Sequence, residues 1–269
     1  MKAKRIKRLV ILLLTFSLCT AMCPGVVSAE ESLSLTLIPD LGIPDINVQD
    51  YTNNVDISAS TASLLTTCNA ALVGVENSGH DHRSSLSHIV PELTGYGFSN
   101  AYLYSGSFTT SSIDTYLNND SNKVFVSRSH GGIHMNEIFA DEQDATYILL
   151  NDNANNPVKY FSNGTMDTLD LNNLEIAMFV GCQTGHGGLD EANLVSQALY
   201  QGATAALGFQ ENINCNEANE WLKRLFDLLI SGVTLRNACL QLHTDGYWQY
   251  TTMASYVICG NSVITLPRG

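Results

Sequence analysis

Two short stretches carry the side chains most suited to covalent chemistry. The first is "SRSHGG", where His130 is followed by Gly131 and Gly132; the second is "FVGCQTG", where Cys182 follows Gly181. The two lie 52 residues apart, each just beyond a short apolar run, Val124–Val126 and Leu174–Val180. A thiolate attacks carbonyl carbon readily, and a nearby imidazole can take its proton and return it to a leaving group. Gly131, with Gly132 beside it, would let backbone approach a substrate carbonyl. The N–H groups of Gly131 and Cys182 would then receive the developing oxyanion. Either motif alone is common in proteins, so the elements that carry them decide whether they meet.

An apolar run at Ala70–Val75 breaks at Asn77-Ser78-Gly79 and reads as a buried strand. Leu86, Ile89, Val90 and Leu93 then fall on one helical face, with Pro91 expected to kink or shorten that helix and Gly95 and Gly97 to close it. "NAYLYSG" and "KVFVSRSHGG" read as strands on either side of a helix at Thr110–Leu117. Tyr147–Leu150 and Val158–Phe161 form a hairpin around the polar tip "NDNANNP". After the Leu174–Val180 strand come a helix at Asn193–Tyr200, a strand at Ala203–Phe209, helices at Ala218–Ser231 and "TLRNACLQLH", and a closing strand or hairpin in "ASYVICGNSVITL". This alternation predicts an α/β three-layer sandwich, a mostly parallel sheet flanked by helices. In such sheets functional groups collect at the carboxyl ends of the strands, where both motifs fall.

Lys2, Lys4, Arg5, Lys7 and Arg8, the apolar run from Leu9 and the small residues Val27-Ser28-Ala29 mark residues 1–29 as a secretory signal peptide. The run is too short and interrupted for a retained membrane span. Cys19 and Cys23 lack the preceding small residue that lipid attachment would want. Residues 30–65 read as an arm or pro-segment, and 66–269 as the catalytic domain. Five of the 13 basic residues lie in the leader, so the remaining 240 residues carry 8 basic side chains against 26 acidic ones, about −18 in charge. That balance disfavours nucleic acid, and no phosphate loop or dinucleotide motif occurs. Five cysteines remain beyond the leader. An odd count suggests one free thiol, with Cys68, Cys215, Cys239 and Cys259 able to form up to two disulfides or to stay as buried thiols.

A strand ending in His-Gly, followed by another ending in a small residue and Cys, resembles the caspase-like cysteine peptidases, which include caspases, legumain, clostripain, gingipains, separase and CHAT-domain proteins. "FVGCQTG" is most similar to the CHAT version, and "YVICGNSVITL" resembles the last strand of gingipain and CHAT catalytic domains. The likeness covers Cys68 to Leu266 and departs from caspases, whose Cys follows Gln-Ala. It implies a cysteine endopeptidase with His130 as base, Cys182 as nucleophile, no required third acid and no required cofactor. It also implies one charged pocket for the residue before the scissile bond. Arg83 would suit Asp there, whereas Glu211 would suit Lys or Arg, the preference the acidic surface favours. Calcium at the "LLNDNANNP" tip is a further implication of the likeness, although its spacing is no EF-hand. The expected partner is a protein or peptide substrate.

The remaining histidines have plainer readings. His80, His82 and His88 in "GHDHRSSLSH" offer a zinc set, but an exposed loop of solvated histidines is the expectation. His134 and His186 read as rim residues, and His243 as a helix-end cap. Two rival functions stand beside the peptidase: an idle module of the same fold that binds another protein, and a metal-dependent hydrolase using the histidines.

Overall fold

A computed structural model describes residues 67–76, 80–134, 145–151, 153, 155–163, 166–187, 192–245 and 251–268. The predicted signal peptide and arm lie outside them. Two sheets are present among the described residues. The larger has six strands: β1 (Asn69–Val75), β2 (Asn100–Gly106), β3 (Asn122–Arg128), β7 (Ile176–Val180), β8 (Ala205–Phe209) and β9 (Tyr256–Gly260), in the order β2-β1-β3-β7-β8-β9. Every neighbouring pair is parallel except β8 with β9. The smaller sheet is antiparallel, in the order β4 (Gly131–His134), β5 (Ala145–Leu149) and β6 (Lys159–Phe161).

Strand periodicity sorts the core into two layers. Leu72, Val124, Val126, Met178, Val180 and Leu207 face helices α1 (Ser84–Tyr96), α4 (Cys215–Ile230) and α5 (Leu235–Thr244). Val73, Phe125, Ala177, Phe179 and Ala206 face α2 (Thr110–Leu117) and α3 (Leu194–Tyr200) on the opposite side. Central strands covered on both faces must be apolar throughout, which is why β1, β7 and β8 are fully buried. The predicted three-layer α/β sandwich is what the chain forms.

Local chemistry sets the helix ends. Asn193 caps α3 by accepting from the N–H groups of Val195 and Ser196, and Ser196 returns the bond to Asn193 N. Asn214 accepts from Asn216 and Glu217 at the start of α4. That helix therefore starts three residues before the sequence-based boundary, and Cys215 lies in its first turn. Pro91 does not shorten α1: it sits on the exposed face, where solvent can take the carbonyl its missing N–H releases. Gly97, at φ 128°, ends that helix, with its N–H on Leu93 O at 3.2 Å.

Of the two options for Cys68, Cys215, Cys239 and Cys259, disulfides or unpaired thiols, the structure takes the second: these four and Cys182 are all free. Burial pushes the thiols of Cys68 and Cys259 up to about 11 and about 12, and Cys239 upward as well. These three are core thiols. Cys182 and Cys215 are only half-buried.

Candidate active site

β3 and β7 are adjacent parallel strands whose last paired residues are Arg128 and Val180. His130 and Cys182 each stand two residues beyond that pair, so the sheet register brings both to the same level at its carboxyl edge. The segments interlock there. Ser129 N donates to Val180 O at 3.4 Å. A Cβ on Gly181 would stand 2.9 Å from Ser129 O and 3.3 Å from Gly131 N, and one on Gly131 would stand 2.5 Å from Cys182 O. The glycines are thus demanded by the mutual approach of these two backbones. The backbone contact at Gly131 adds to the approach by substrate that the sequence suggests for the same glycine. A strand beginning at Gly131 was not foreseen; it pairs with Ile148 of β5, and Leu149 N donates to His130 O at 2.8 Å, fixing the backbone at the histidine.

The Cys182 side is held by the loop after β8. Cys182 Sγ accepts from Ile213 N at 3.4 Å and donates to Ile213 O at 3.7 Å. Gln183 adopts a left-handed φ of 57°, which turns the chain sharply after the cysteine, and its N–H donates to Glu211 O at 3.0 Å. Buried Thr184 staples the turn: its hydroxyl donates to Phe179 O at 2.7 Å and accepts from Phe209 N at 3.2 Å. A sulfur held by backbone groups on a tight turn is presented in one orientation, which is the preorganisation a nucleophile requires.

Around His130 lies a layer that the sequence did not reveal. The His80 and His82 rings meet the His130 ring edge to face, with centroids 5.0 Å and 5.2 Å away. His82 was expected in solvent, yet it is 2 % exposed, and burial, followed by the neighbouring Arg128, His130 and His80, lowers its pKa to about 3. Its Nδ1 faces Cys215 Sγ at 3.7 Å, and its enclosed Nε2 has no hydrogen-bond partner. Arg128, 1 % exposed, aims its guanidinium at Val180 O (3.2 Å), Asn219 Oδ1 (3.2 Å), Cys215 O (2.9 Å) and Cys215 Sγ (3.1 Å). Burial lowers the Arg128 pKa, while Cys215 and then Cys182 pull it back up. An arginine two residues beyond the apolar Val124–Val126 run, where the strand is still buried, was the available signal for this layer. Asn219, the polar interruption of the α4 apolar face, was another.

The remaining expected residues are dispersed. Arg83 is exposed at the N-cap of α1, its N–H on Asp81 Oδ1 at 3.0 Å. Glu211 is exposed, and its carbonyl supports the Cys182 turn. His186 Nδ1 lies 3.2 Å from Gln210 O, near that turn, whereas exposed His134 packs its ring on Phe161. His88 is separate from His80 and His82 and pairs with Glu92. His243 does lie in the last turn of α5, but its Nδ1 is enclosed and unpartnered, with the Tyr256 ring 6.4 Å away. At the hairpin tip, Asn151 and Asn153 spend their side-chain oxygens on backbone N–H groups of Val158, Asn155 and Asn156.

Solved structures share this fold. The Arg-specific cysteine proteinase gingipain R superposes with a TM-score of 0.53 at 12% identity, over 74% of this chain and 47% of that one. The complex of the pro- and mature domains of the Porphyromonas gingivalis enzyme gives 0.53 at 11%, over 74% and 48%. The fold is caspase-like. This chain spans about half the length of those caspase-like proteinases. No protein-family profile and no curated protein sequence matches the chain. The likeness is one of fold.

Proposed function

We propose that the chain is a secreted cysteine endopeptidase in which Cys182 is the nucleophile and His130 the general base and acid. The reading rests on one observation: the equal two-residue overhang of His130 and Cys182 beyond the paired Arg128 and Val180 on adjacent parallel strands. In the proposed reaction His130 takes the thiol proton and Cys182 Sγ attacks the peptide carbonyl carbon. The resulting oxyanion receives the N–H groups of Gly131 and Cys182, a contribution of about 2.7–4 kcal/mol for each donor. As the C–N bond breaks, His130 passes the proton to the departing amine. Water, deprotonated by the same ring, then hydrolyses the thioester and restores the thiol.

Cleavage after Lys or Arg is the favoured specificity. Glu211 is exposed in the segment that supports the Cys182 turn, and the chain beyond the leader carries a large excess of acidic side chains. Arg83, at the start of α1, would select Asp instead. Hydrolysis of casein and of a fluorogenic peptide library tests both parts. Cys182→Ala should abolish cleavage, and the library should show basic residues before the scissile bond. Unchanged cleavage by the variant removes Cys182 from the mechanism; a preference for Asp removes Glu211 from the pocket.

A further inference from the structure

Away from the caspase-like site, α1 and α4 present a second set of side chains suited to chemistry. His88 and Glu92 stand one turn apart on α1, and Asp227 reaches the same place from α4. One donor atom from each, an imidazole nitrogen and two carboxylate oxygens, lies within 4.8 Å of the other two. His88 Nε2 and Glu92 Oε1 are 3.0 Å apart. The second oxygen, Glu92 Oε2, is enclosed and has no hydrogen-bond partner. An unpaired carboxylate oxygen shielded from water is costly, and a second carboxylate close by adds repulsion. Glu92 and Asp227 also line one cavity of about 560 Å³ with Tyr96, Ile230 and Arg268. The positive charge in that cavity is turned elsewhere: Arg268 Nε donates to Tyr96 OH at 3.2 Å, and no ion pair joins it to Glu92 or Asp227 among the described residues.

The geometry points to a divalent transition-metal site of the zinc type, with His88, Glu92 and Asp227 as ligands and a fourth position open to the cavity. Imidazole with two carboxylates suits zinc, whereas calcium and magnesium want six or more oxygens. Zinc ligands stand about 2.0–2.2 Å from the ion, so the three donors must draw inward. Exposed His88 and Asp227 can do so by side-chain rotation. The ion would satisfy Glu92 Oε2, relieve the carboxylate repulsion and clamp α1 to α4. Those helices carry the layer behind His130: α4 begins with Cys215 and Asn219, and α1 follows directly on His82.

Zinc titration of the full chain in a Cys182→Ala background, followed by calorimetry and thermal melting, tests the site independently of peptidase activity. The expected result is one equivalent bound with a rise in melting temperature. His88→Ala and Asp227→Asn should each weaken binding more than about tenfold and remove the zinc-dependent rise. Without metal both variants should keep the circular dichroism of the parent. Cobalt should give a visible band free of sulfur-to-metal charge transfer. Absence of zinc uptake, uptake undiminished in both variants, or a cobalt spectrum with a thiolate band would overturn the site.

Discussion

Arg128 carries a full positive charge into the interior, and among the described residues no carboxylate meets it. Its compensation is a fan of acceptors: two carbonyl oxygens, the Asn219 amide oxygen and the Cys215 sulfur. A lysine is a point charge with a different reach and cannot fill this fan. Arg128→Lys should therefore lower unfolding free energy by about 2–4 kcal/mol, read as a shift of the urea midpoint at constant slope. Because Val180 O is one of the acceptors, the same change should loosen the turn into Cys182 and slow peptide cleavage. The sequence displayed His130 and Cys182 because an imidazole and a thiol flanked by glycine are recognisable residue types. It did not display the partnership of Arg128 with Cys215, which joins residues 87 apart through α4 packing.

At the scale of elements, the site depends on how closely the ends of β3 and β7 approach. Gly131→Ala would set a methyl 2.5 Å from Cys182 O, a distance that forces backbone to move. Displacements of about 1 Å cost on the order of a hundredfold in rate. The variant should keep its circular dichroism and lose about that factor in kcat/KM on the preferred peptide. Most elements were legible for a physical reason: strands covered on both faces must be uninterrupted apolar runs, and such runs survive in sequence. β4 was not, because Gly131-Gly132 has no side chains to show alternation and diglycine ordinarily signals a turn. The place of Gly132 in a strand is explained by Tyr147, whose hydroxyl would lie 2.7 Å from an added Cβ.

Over the whole molecule, the buried histidine couples stability to pH. His82 has a pKa of about 3 when folded, against an ordinary 6.5. The unfolded chain therefore binds the proton first, and the stability that comes from keeping the ring neutral is intact above pH 6.5. It is lost as pH falls from 6.5 toward 3, by up to about 1.4 kcal/mol per unit. Melting temperature should fall across that window, and His82→Gln should flatten the fall. This burial was illegible because "GHDH" is polar throughout. The cover comes from the start of α4, 133 residues later, where Cys215 meets the ring.

The pairing of His130 with Cys182 is the claim from which the enzymatic reading follows. Its most direct measurement is the rate of iodoacetamide alkylation at Cys182 near neutral pH, followed by peptide mass mapping, in the parent chain and in His130→Ala. Fast labelling of the parent at Cys182 and a marked slowing in the variant is the predicted result. Equal rates in the two proteins, or a Cys182 no faster than an ordinary free thiol, would contradict it.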